Sequence, residues 1–65
     1  MKIDEKLDLA QDLMDEIADN DESGLVDKMT YQIIYARSWG SYAVKRAIVK
    51  EARELYNRIK KENTK

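Results

Sequence analysis

Residues 32–51, QIIYARSWGSYAVKRAIVKE, decide the fold, because Gly40 either continues a helix or ends one. Upstream, apolar residues recur at Val26, Met29, Ile33 and Ala36, and the same spacing of three and four runs on through Gly40, Ala43 and Ala47. Such a period marks one face of a helix. A glycine inside a helix costs only about 0.5–1 kcal/mol relative to alanine, so propensity alone does not exclude one long helix here. Two features favour a break. Glycine followed by serine is the stop-and-start order of a helix end and a new N-cap, and an uninterrupted helix would leave its last third without a partner in the same chain.

Working outward, Ile3, Leu7, Ala10, Met14 and Ile17 are spaced by four, three, four and three, with Leu9 and Leu13 widening the stripe. This is an amphipathic helix whose early Asp4 and Glu5 suit the positive end of its dipole. Downstream, Val44, Ile48, Ala52, Leu55 and Ile59 form a third stripe, with basic residues displaced from it. The expected fold is all-α, a small three-helix bundle with helices at about 3–19, 26–39 and 41–62, in a single helical domain over residues 1–65. The alternative is a two-helix hairpin with a long second helix that pairs in trans.

A 65-residue chain has a thin core, since a domain of this size buries only about 60% of the surface its unfolded chain exposes. There is no cysteine to supply a disulfide or thiolate metal site, which leaves association as the natural additional stabiliser. With no His and no Cys, the commonest routes to general acid/base, thiol and zinc chemistry are missing, so the chain is read as non-enzymatic, with no catalytic residue and no cofactor. No apolar run is long enough for a membrane span and the N-terminus is acidic, so the expectation is a cytoplasmic protein without a membrane partner. The net charge of -1 conceals a split. Residues 1–27 carry ten acids against Lys2 and Lys6, whereas residues 28–65 carry ten bases against Glu51, Glu54 and Glu62.

Between the first two stripes lies DNDESGLVDKMT, residues 19–30. Asp19, Asp21 and Ser23 fall at alternate positions, Gly24 follows, then Leu25, Val26 and Asp27. To that point the segment resembles an EF-hand calcium loop, which sets oxygen ligands at positions 1, 3, 5 and 9 and glycine at 6. Position 12 is Thr30, which cannot supply the bidentate carboxylate that closes the shell. No metal is therefore expected; weak calcium binding at Asp19, Asp21, Ser23 and Asp27 is the alternative. The competing reading is a helix-connecting turn of solvated acids with Asp27 as the N-cap of the second helix.

Two further patterns bear on function. The four-residue interval from Ala36 to Gly40 resembles the turn of a helix-turn-helix, and residues 41–61 would then offer Lys45, Arg46, Lys50 and Arg53 to nucleic acid. Against it, Ser41 and Arg46 stand where that motif wants apolar residues. The second pattern is aromatic. Tyr31, Tyr35, Trp39 and Tyr42 follow at intervals of four, four and three, offset from the core stripe, and serve either as core between the second and third helices or as a contact surface. Phenols and indoles favour sites with one wet end and are enriched at interface hot spots. The leading expectation is thus a small interaction or regulatory protein, self-associating or bound to a protein partner through these four residues, with the acids of the first helix facing a basic surface. Nucleic-acid binding and a divalent-ion module are the alternatives.

Overall fold

Three helices follow in order: α1 (Ile3–Ile17), α2 (Leu25–Trp39) and α3 (Tyr42–Asn63). The computed structural model describes residues 2–20 and 24–63. After Ile17 the winding tightens to a 3-10 turn over Ala18–Asn20, across the expected end of the first helix at residue 19.

The break between α2 and α3 lies at Gly40, and its cause is space. Gly40 has φ -80° and ψ 142°, an extended conformation open to any residue. Its N–H still donates to the Ala36 carbonyl at 2.8 Å, closing the last turn of α2. A Cβ at residue 40 would sit 2.8 Å from that carbonyl oxygen and 3.1 Å from the Ala36 Cα. Ser41 then starts α3: its Oγ accepts from the Val44 N–H at 3.3 Å and its carbonyl accepts from Lys45 N–H at 2.9 Å. Serine at this position satisfies one of the orphan donors of a helix start. The two-helix alternative is thereby corrected, because α3 turns back and finds on α1 and α2 the cover that the hairpin would have sought in trans.

Each helix contributes four buried apolar residues: Leu7, Ala10, Met14 and Ile17 from α1, Val26, Met29, Ile33 and Ala36 from α2, and Val49, Ala52, Leu55 and Ile59 from α3. Ile3, Leu13, Ile48 and Tyr56 pack around them. No polar side chain is buried among the described residues. The stripes of α1 and α2 match the sequence pattern. In α3 the stripe matches at Ala52, Leu55 and Ile59 and Ile48 packs on the core, but Val44 is exposed, as are Ala43 and Ala47, and Val49 takes a core position. For Ala43 and Ala47 the reason is the break itself, since two non-helical residues reset the rotational phase and the period begun at Val26 does not carry across.

The uneven charges meet between helices. Lys45 Nζ pairs with Asp4 at 3.0 Å and Lys60 Nζ with Glu16 at 3.4 Å, so α1 runs parallel to α3. Arg37 ties α2 to α1 through Asp8 at 2.6 Å and donates also to Gln11 Oε1 at 3.0 Å. Exposed pairs of this kind contribute about 0–1 kcal/mol each, so they select register and neighbour more than they stabilise.

Gly24 is the N-cap of α2, with φ 78° in the left-handed region that favours glycine. The expectation of Asp27 as N-cap is corrected: the helix begins two residues earlier and Asp27 lies inside its first turn, where its charge complements the dipole.

Two substitutions test this account by thermal melting followed by circular dichroism. Gly40→Ala forces a Cβ against backbone and is expected to cost about 1–3 kcal/mol, as overpacking does. Leu7→Ala empties a fully buried site and is expected to cost about 2–5 kcal/mol. A parent-like melting temperature for Gly40→Ala would contradict the steric origin of the break.

Candidate aromatic interface

Successive residues in an α-helix turn by about 100°, so the face of α2 opposite Val26, Met29, Ile33 and Ala36 carries Tyr31, Tyr35 and Trp39 in a single line. All three project into solvent, with 78%, 65% and 77% of their surface exposed. Ile34, also exposed, flanks the line. The reading of these rings as core between the second and third helices is corrected: Gln32 and Ile48 sit at that junction, and the rings stand outside it. Apolar on two opposite faces, α2 has only one of them covered.

The break at Gly40 separates Tyr42 from the other three. Tyr42 opens α3, 63% exposed, and its i+4 neighbour Arg46 lies with its guanidinium carbon 5.9 Å from the ring centroid. The sequence spacing that joined it to Trp39 assumed a continuous helix. In its place the structure adds Ile34 and Ile48, which the sequence did not single out for this site. Ile48 was read as plain core, and only the packing of α3 on α2 brings it to the edge of the ridge. Beside the ridge runs a groove of about 560 Å³, lined by Asp27, Lys28, Tyr31, Gln32, Tyr35 and Ile48.

The basic residues assigned to nucleic acid divide. Lys45 has only 17% of its side chain exposed and is engaged with Asp4. Arg46, Lys50 and Arg53 line a second groove, of about 290 Å³, where Lys6 and Ile3 of α1 meet Val49, Glu54 and Asn57 of α3. Lys6 is a member of this cluster that the sequence did not reveal, being a base within an acidic helix.

Of the calcium-loop residues, Asp21 and Ser23 lie outside the described residues, and Asp19 lies in the 3-10 turn. Leu25, whose carbonyl would be the ligand at position 7, is already the first residue of α2 and directs that carbonyl along the helix. The resemblance to an EF-hand loop therefore ends at Gly24. Among the described residues no three carboxylates come together as a metal site.

On α1, Asp8 and Glu16 are engaged with other helices, while Glu5, Asp12 and Asp15 remain as an exposed acidic strip with Asp19 beyond it. Tyr56, the fifth aromatic residue, has a different role from the ridge. It is half-buried between α1 and α3, and its hydroxyl donates to Glu16 Oε2 at 3.0 Å. Lys60 Nζ stands 5.9 Å from its ring centroid. Burial, reinforced by the acceptor and charge of Glu16, raises the pKa of the phenol above its usual value, against the opposing pull of Lys60.

Compared with family models, curated proteins and solved structures, the chain matches none. No helix among the described residues is long and apolar enough to cross a membrane.

The raised Tyr56 pKa gives a signed expectation. Because the folded state resists ionisation more than the unfolded one, the stabilisation is complete below the ordinary phenol value of about 10 and is lost as pH rises through the higher folded value. Denaturation at increasing alkaline pH is expected to show the parent losing stability faster than Tyr56→Phe. Parallel losses would show that Tyr56 ionisation is not linked to unfolding.

Proposed function

We propose that this chain is a small non-enzymatic interaction protein that works by docking a macromolecular partner, as an oligomer, through the aromatic ridge of α2. The observation that supports this most directly is the exposure of Tyr31, Tyr35 and Trp39 on one helix face in a protein whose own core leaves them uncovered. Large exposed apolar patches on small proteins mark association sites. Tyr and Trp bring much area at low entropic cost, and they dominate the hot spots of protein interfaces. The chemistry of the ridge, apolar rings with polar tips, fits a protein surface. Tyr42, exposed at the start of α3 with Arg46 near its ring, offers a separate secondary contact. The exposed acids Asp12, Asp15 and Asp19 form a separate surface suited to a basic protein.

A second reading is favoured by one feature. Lys6, Arg46, Lys50 and Arg53 around the α1–α3 groove put four cations beside a single acid, Glu54. Such a cluster would position a phosphate backbone, with an affinity that falls steeply as salt is added. Single-stranded and duplex oligonucleotides titrated at two salt concentrations test it; binding absent at low salt eliminates it.

For the ridge, the double variant Tyr35→Glu, Trp39→Ala is the direct test, because both side chains are exposed and neither supports the core. It is expected to retain the parent's helicity and melting behaviour while losing association, followed by sedimentation and by affinity capture from the native cell. Retention of every association shown by the parent would refute the ridge as the docking surface.

A further inference from the structure

The ridge also carries information about its occupant. Building on the reading of the ridge as a docking surface, we propose that a second copy of this chain covers it, the two α2 helices packing antiparallel about a two-fold axis at Tyr35.

The first reason is placement. Tyr31 and Trp39 lie four residues to either side of Tyr35, about 6 Å each way along the helix. An antiparallel pairing centred on Tyr35 therefore sets Tyr31 of one copy against Trp39 of the other and Tyr35 against itself. Two-fold dimers require this kind of self-complementary surface, in which each patch meets its own image.

The second reason is shape. The face holds a projection and a recess. Trp39 is the projection at the C-terminal end, and the groove lined by Asp27, Lys28, Tyr31, Gln32, Tyr35 and Ile48 is the recess toward the N-terminal end. The same axis brings each indole over the partner copy's groove, whose volume of about 560 Å³ has room for it.

Charge points the same way. From Met29 to Trp39 the only ionised group of α2 is Arg37, and its guanidinium is turned to Asp8 and Gln11 of α1. At their centre two such faces meet without opposing like charges, as the charge-poor centre of a stable interface requires. Asp27 and Lys28, one charge of each sign, line the N-terminal part of the groove.

The area suffices. A ring residue covers roughly 150–250 Å², so three rings exposed to this degree offer about 400 Å². Ile34 and the edge of Ile48 bring one copy near 500 Å², and a pair of copies to about 1,000 Å², the lower bound for a specific interface.

Trp39 is the single tryptophan and reports on the contact directly. Sedimentation velocity of the full chain, from low micromolar to near-millimolar, is expected to show a monomer passing to a dimer, with the Trp39 emission shifting to the blue over the same range. Tyr35→Glu and Tyr35→Lys each place like charges on the axis and are expected to weaken association by roughly thirtyfold or more, the loss typical of a hot-spot residue. Mixed in equal amounts, the two variants are expected to form a one-to-one heterodimer, which follows only if residue 35 faces its own copy. A parent that stays monomeric throughout, or a dimer indifferent to both variants, would overturn the proposal. If the monomeric parent captures a different protein that Tyr35→Glu loses, the second copy is wrong and the ridge reading stands.

Discussion

The close approach of Gly40 to the Ala36 backbone is the constraint from which the rest of this structure descends. With no Cβ to hold it away, residue 40 leaves the helical path while its N–H still completes the last turn of α2, and Ser41 caps the next helix at once. The reversal returns α3 along α1, supplies four of the twelve buried side chains and allows a single chain to close its own core. It also moves Tyr42 off the line of Tyr31, Tyr35 and Trp39, so that the aromatic surface is narrower than the spacing in the sequence suggested.

Packing and charge divide the work between them. The core is wholly apolar among the described residues, and nothing within it encodes direction. Orientation is supplied at its edge by Asp4 with Lys45 and Glu16 with Lys60, where the acidic first helix meets the basic third. Glu16 would be unfavourable alone at the negative end of α1; Lys60 and the Tyr56 hydroxyl compensate for it. The internal pairs engage Asp4, Asp8 and Glu16 with Lys45, Arg37 and Lys60, and an acidic strip on α1 and a basic groove beside α3 face the outside.

How much of this was legible beforehand depends on the kind of signal. The three helices, the stripes of α1 and α2 and the stop at Gly40 were readable, because periodicity and end signals are local. The core face of α3 was misread at Val44 and Val49, since its rotation depends on two residues of extended backbone that carry no period. The N-cap of α2 was misplaced because Asp27 is a good N-cap by type, whereas the left-handed Gly24 takes that position three residues earlier. The ridge could be named from spacing but not assigned to core or surface, a choice that the placement of Gln32 and Ile48 makes in three dimensions. The Lys6 contribution to the basic groove has no one-dimensional trace at all.

The densest helix contact joins α1 to α3, the two segments farthest apart in sequence, while each touches α2 less extensively. The first two helices alone therefore lack the greater part of their joint cover, and Leu7, Met14 and Ile17 gain their final neighbours only when α3 docks. Closing so distant a contact costs loop entropy before it is rewarded, which makes the docking of the returning helix, rather than the formation of the first, the step that commits the chain to its fold.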